Sequence, residues 1–134
     1  MPSEPFTLPQ ISKLLDTEYR TLHTWVKRGL VRPSIRLSQG TGNPNLFSQR
    51  DAVAIQVLLE LRRAGVALDL LEQAAEELWA TESPLDDPRA YMTINGSAKL
   101  VFDAQAALSQ IESGGVTLAY SLTAASEIVS ARFS

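Results

Sequence analysis

Four polar side chains recur at helical spacing early in the chain: Arg20, His23, Thr24 and Lys27 stand at i, i+3, i+4 and i+7. On a helix they share one stripe. A guanidinium, an imidazole, a hydroxyl and an ammonium together supply hydrogen-bond donors and positive charge, the chemistry suited to base edges and phosphate oxygens. Leu22, Trp25 and Val26 fall on the opposite face as core anchors. Thr21 and Arg28 extend the same helix, and Arg32 and Arg36 follow within two turns' length of chain. A solvated amphipathic helix shows the same division, so the stripe alone leaves both readings open.

Other chemistries are poorly supplied. The 134 residues include no Cys and a single His. That removes disulfides, thiolate metal sites, redox sensing, cysteine nucleophiles and multi-histidine metal sites. No nucleophile, base and orienting group stand out as a set, so no catalytic residues, metal or cofactor are expected. The chain starts without a basic region and apolar core of secretory type, and no apolar run approaches the about 18 residues of a membrane span. The expectation is a soluble protein of a reducing compartment, the cytoplasm, with no membrane partner.

The net charge of −3 hides an asymmetry. From Lys13 to Arg63 nine basic residues face four acidic ones; from Ala64 onward three face ten. A basic front and an acidic back suit a polyanion-binding head with a tail of different purpose.

The elements that must position the stripe follow from caps and periodicity. Thr7 and Gln10 have capping-box spacing, with Ile11, Leu14 and Leu15 behind them, which predicts a helix over about 8–15. Asp16-Thr17-Glu18 offers N-cap groups for the stripe-bearing helix over about 18–28, closed by Gly29. Two short helices joined by a tight polar turn follow the helix-turn-helix plan. Short apolar pieces at Val31, Ile35, Leu37, Leu46 and Phe47 flank the turn formers from Gln39 to Asn45, predicting a β-hairpin wing that carries Arg32 and Arg36. Ser48 and Asp51 cap a longer helix to Ala64, stopped by Gly65. Leu71, Ala74, Ala75, Leu78 and Trp79 mark a fourth helix with a solvated acidic face of Asp69, Glu72, Glu76 and Glu77. Trp79 itself reads as core or dimer packing.

Two prolines and three acids between Thr81 and Pro88 read as a linker. Beyond it, Tyr91–Ile94, an Asn95-Gly96 turn and Lys99–Phe102 form a hairpin. Asp103 caps a helix closed by Gly114-Gly115, and strict alternation from Val116 to Leu122 gives a strand. Thr123 to Phe133 fits a last helix or a further strand. The expected fold class is therefore α+β: a winged helix-turn-helix over 1–80, a linker at 81–89, and a small ββαβ unit over 90–134. So small a unit leaves sheet edges open. Dimerisation through Leu118, Tyr120, Leu122, Ile128 and Val129 would cover them.

The order of pieces resembles the DNA-binding domain of MerR-type transcriptional regulators. The resemblance runs from Phe6-Thr7-Leu8 through Thr21-Leu22-His23-Thr24-Trp25, Gly29-Leu30-Val31-Arg32-Pro33 and Phe47-Ser48-Gln49-Arg50-Asp51 to Leu61–Leu68, covering residues 6 to about 79. It implies a homodimer on double-stranded DNA, with Arg20, Thr21, His23, Thr24, Lys27 and Arg28 at the major groove and Arg32 and Arg36 on phosphates. His23 stands where the family usually has Arg, and Thr24 where it has a second aromatic. Pro84 and Pro88 interrupt the place of the family's long dimerisation helix. The Trp25-Val26-x-x-Gly29 turn also resembles excisionase-type winged helices, so an architectural DNA-bending protein is one alternative. An antitoxin or adaptor whose C-terminal unit binds another protein is a second.

Overall fold

The computed structural model describes residues 4–37, 44–80 and 90–134. The expected wing tip and the expected 81–89 linker lie outside the described residues. Both capping boxes form as the sequence predicts. Thr7 accepts from the Gln10 amide while the Gln10 side chain accepts from the Thr7 amide, opening α1 (Leu8–Leu14). Ser48 and Asp51 do the same at α3 (Gln49–Arg63). Between them, α2 (Tyr19–Lys27) starts at Glu18, whose side chain makes no capping bond. Asp16, at φ 53°, turns the chain between α1 and α2.

Two glycines end helices where the sequence asks for them. Gly29 sits at φ 80°; its amide reaches Val26 O at 3.1 Å and the Leu30 amide reaches Trp25 O at 2.9 Å. Gly65 repeats the arrangement at the end of α3, with Val66 bonded to Leu61 O at 3.0 Å. Both are Schellman closures, which satisfy the last carbonyls and turn the next apolar residue inward. Leu30 and Val66 are accordingly buried. The segment after α2 runs out past Arg36 and returns at Leu46, where Arg36 and Leu46 form an antiparallel bridge. Phe47 then bridges Phe6, bringing the chain's start beside the start of α3.

The later residues form β1 (Tyr91–Ile94), β2 (Ala98–Val101), α5 (Ala104–Glu112), β3 (Leu118–Ser121) and α6 (Leu122–Arg132), after α4 (Leu68–Ala80). The antiparallel sheet has the order β2-β1-β3. The strand expected from Val116 is shorter, because Leu122 already begins a helix; Val116 is 91% exposed. The undecided tail is that helix, α6.

One face of the sheet joins the helical core. Met92, Ile94, Leu100 and Leu122 belong to a single buried cluster that also holds Leu22, Ile55, Leu58 and Leu78. The residues expected as separate segments thus share one interior. α6 packs on α3, and α4 packs on β2. At its end, Phe133 meets the Phe6 ring edge-on at 4.9 Å between centroids. Arg132 donates to Leu14 O at 3.3 Å. The other sheet face carries Thr93 and Val101, and α5 lies against β1 and β2.

Glu77 corrects the reading of the acidic helix face. Its carboxylate accepts from the Leu100 amide at 3.1 Å, and Gln73 accepts from the Ala98 amide at 3.0 Å. These amides point away from β1, so α4 covers the outer edge of β2 with side chains. An edge left open invites pairing with another chain; this one is closed from within.

Candidate nucleic-acid interface

The stripe on α2 is presented outward because the opposite face is fixed. Leu22 is 0% and Trp25 7% exposed, and Val26 packs half-buried beside them. Arg20, Thr24 and Lys27 are exposed; Thr21 and His23 are half-buried. Arg20 and Lys27 make no ion pair among the described residues. His23 stacks on Tyr19, with centroids 5.6 Å apart and planes 24° from parallel. Tyr19 was missed in the sequence reading, though its i, i+4 spacing to His23 was the available signal. It is 47% exposed and widens the presented face by an aromatic ring.

The arginines beyond the helix are held differently. Arg28 faces Glu72 at 3.8 Å. Arg32 donates from Nε to Gly29 O at 3.1 Å and from Nη2 to Glu76 at 2.5 Å. Both acids belong to α4, so the two arginines border a groove of about 460 Å³ between α4 and the end of α2. Arg36 stands apart from them. Its guanidinium donates to Pro44 O at 3.3 and 3.2 Å, tying the outgoing arm to the returning one.

Asp51 joins these parts. Its Oδ2 accepts from Ser34 N at 2.9 Å, Ser34 Oγ at 2.7 Å and Ser48 N at 2.9 Å. Its Oδ1 accepts from Trp79 Nε1 at 3.3 Å. Trp79 is thus a packed residue with a polar tie to α3.

A donor-bearing helix seated on α1, with an arm returning to a capped α3, lies within a segment that matches a known family. Residues 6–78 match the family of MerR HTH regulatory proteins. The chain belongs to the MerR HTH family. Among its relatives are an uncharacterized HTH-type transcriptional regulator of Mycobacterium bovis and counterparts in two strains of Mycobacterium tuberculosis. Each is 30% identical over 70 residues, which cover 52% of this chain and 31% of the relative. The match to this chain therefore spans well under half the length of these relatives.

Outside that segment the residues expected at a dimer surface are placed mostly inward. Leu122 is 1% and Val129 0% exposed, covered by the chain's own helices. Leu118 and Tyr120 lie half-buried against the same core, and Ile128 is half-buried on α6. The cause is the packing of the sheet and α6 onto the head. Among the described residues no cluster of acidic, His or Cys side chains could hold a metal. No helix among them is long and apolar enough to cross a membrane.

Proposed function

We propose that this MerR-family chain is a sequence-specific, DNA-binding transcriptional regulator that inserts α2 into the major groove. One observation carries the reading: Arg20, Thr24 and Lys27 form an exposed face with no ion pair among the described residues, on a helix anchored by Leu22 and Trp25. An α-helix fits the major groove, where such donors meet base edges and phosphates. Arg36, on the arm beside α2, holds the backbone. The test is titration of a labelled duplex over a range of salt. Each phosphate contact contributes about 0.9 to the slope of log K against log salt. Lys27→Ala and Arg36→Ala should each lower the slope by about that amount; affinity indifferent to salt would sink the reading.

The reading includes a second copy, since two-fold related heads read a pseudo-palindrome. With Leu122 and Val129 covered, the surface offered is the outer side of α5. Phe102 (44%), Leu108 (44%), Ile111 (50%) and Val116 (91%) are exposed there. Asp103 and Glu112 are the only charges from 102 to 116, so two copies meet with little like-charge repulsion. Sedimentation should find a dimer that Leu108→Asp with Ile111→Asp converts to a folded monomer. A wild-type monomer at DNA-binding concentrations would remove this part.

A further inference from the structure

We infer that Asp51 is a positioning residue for DNA binding: its buried carboxylate fastens the Arg36-bearing arm to the body of the protein. The inference rests on the proposed role of that arm at the phosphate backbone.

The outgoing arm buries little of its own surface. Ser34, Ile35, Arg36 and Leu37 are all exposed, Ile35 at 45% and Leu37 at 59%. Burial of apolar surface, the usual source of fixed geometry, is therefore slight along this stretch. Polar ties replace it. Arg36 and Leu46 bind the two arms to each other, and the returning arm is joined to the body at Phe47, which is buried and bridged to Phe6. The outgoing arm, which carries Arg36, is tied down at Ser34, whose amide and hydroxyl both donate to Asp51 Oδ2. Ser34 Oγ also lies 3.2 Å from Ser48 Oγ at the α3 cap.

Capping alone does not explain so many bonds. A capping box needs the Ser48 amide and the Asp51 amide, and both are satisfied. Asp51 is only 3% exposed and spends its remaining acceptor capacity on residues 17 and 28 positions away. A carboxylate presents two acceptor oxygens and no donor. Oδ2 takes the arm and the cap, while Oδ1 takes the Trp79 indole N–H from α4. An Asn can keep one of these oxygens but turns an N–H₂ toward the other partner.

That difference supplies the test. In Asp51→Asn, Oδ1 of the new amide can face Ser34 and Ser48 only if its N–H₂ faces the Trp79 N–H, donor against donor. Replacing Trp79 by Phe removes the conflict. Salt titrations of a labelled mixed-sequence duplex would be run on the full chain and on four variants. These are Asp51→Ala, the pair Asp51→Asn with Trp79→Phe, Arg36→Ala, and Met92→Ala as a destabilised control in the sheet. Positioning predicts that Asp51→Ala lowers the salt slope by about 0.9, as Arg36→Ala does. The Asn/Phe pair should restore it, and Met92→Ala should leave it unchanged at temperatures where the protein is folded. If Asp51→Ala does not fold, Asp51→Asn alone takes its place: a slope lowered there and restored in the Asn/Phe pair supports the inference, and equal slopes in the two overturn it. A slope lowered by Arg36→Ala but kept in Asp51→Ala overturns the fastening alone. A slope unmoved by Arg36→Ala overturns both the arm's role and the inference, while Lys27→Ala still judges α2.

Discussion

Helices α2 and α3 differ in how many of their faces are covered. In α2 only Leu22 and Trp25 are buried, and the polar stripe opposite them faces outward. In α3 every residue from Asp51 to Leu59 is buried, and Leu61 as well. The cause is placement rather than composition. α3 is packed by α4 on one side and by α6 on another, so the chain itself supplies all its neighbours. The outward face of α2 has no such neighbour among the described residues. A helix with one finished face and one bare, cationic face is suited to a partner outside the chain.

The comparison breaks most severely at α6. Val129 is 0% exposed in the cluster that closes over α3. Val129→Asp would leave a charge without water or a partner, which costs several kcal/mol, about the whole stability of a small domain. Thermal unfolding followed by circular dichroism should show the entire chain lost, head included. A head that melts at its usual temperature while only the tail unfolds would show that α3 does not depend on α6.

On α2 the expected effect is smaller and of another kind. Arg20→Ala or Lys27→Ala should cost about 1–3 kcal/mol in DNA binding. The melting temperature should stay within about a degree or two, since exposed substitutions usually change stability by under ~0.5 kcal/mol. Titration and melting on the same samples separate the two. Equal losses in both would make the stripe structural.

Most of this contrast was legible in the sequence, for identifiable reasons. Caps and glycine stops are local signals, and Thr7, Gln10, Ser48, Asp51, Gly29 and Gly65 all act where their spacing places them. Leu22 and Trp25 follow from the 3.6-residue period. What could not be read was which surfaces meet across long separations. Phe6 against Phe133, Arg132 on Leu14 O, and Trp79 on Asp51 join residues that no local period relates. Leu122 and Val129, expected at a dimer surface, are covered within the chain for that reason. Apolar alternation shows that Leu122 must be covered, but not whether by a second copy or by α3. The acidic face of α4 was misread similarly: Glu72, Glu76 and Glu77 each have a partner far away in sequence.

Those acids sharpen the contrast between free and tied cations. Arg28 and Arg32 must share or leave Glu72 and Glu76 before they can hold a phosphate. Exposed pairs of this kind contribute about 0–1 kcal/mol each. Glu72→Gln with Glu76→Gln should therefore tighten binding to mixed-sequence DNA a few-fold and steepen its salt dependence. Unchanged affinity and slope would place both arginines outside the interface.

The smallest effect expected is at Tyr120, on the sheet face that closes over the helical core. Its hydroxyl is buried with no hydrogen-bond partner among the described residues. Burial, and then the nearby Glu60 carboxylate, push its pKa from 10.0 up to about 12. The unfolded chain ionises this tyrosine first, near ~10. The stability tied to keeping it neutral is thus complete below about pH 10 and lost as pH rises toward 12. Tyr120→Phe removes both the unpartnered oxygen and the titration. It should leave neutral-pH stability unchanged or raise it by up to ~1 kcal/mol, because an unsatisfied buried hydroxyl is itself a cost. Denaturant unfolding from neutral pH to about pH 11 should show a shallower alkaline decline than in the wild type. An identical decline would mean that the hydroxyl finds water, and that the sheet closes on α3 less tightly than the buried Tyr120 oxygen indicates.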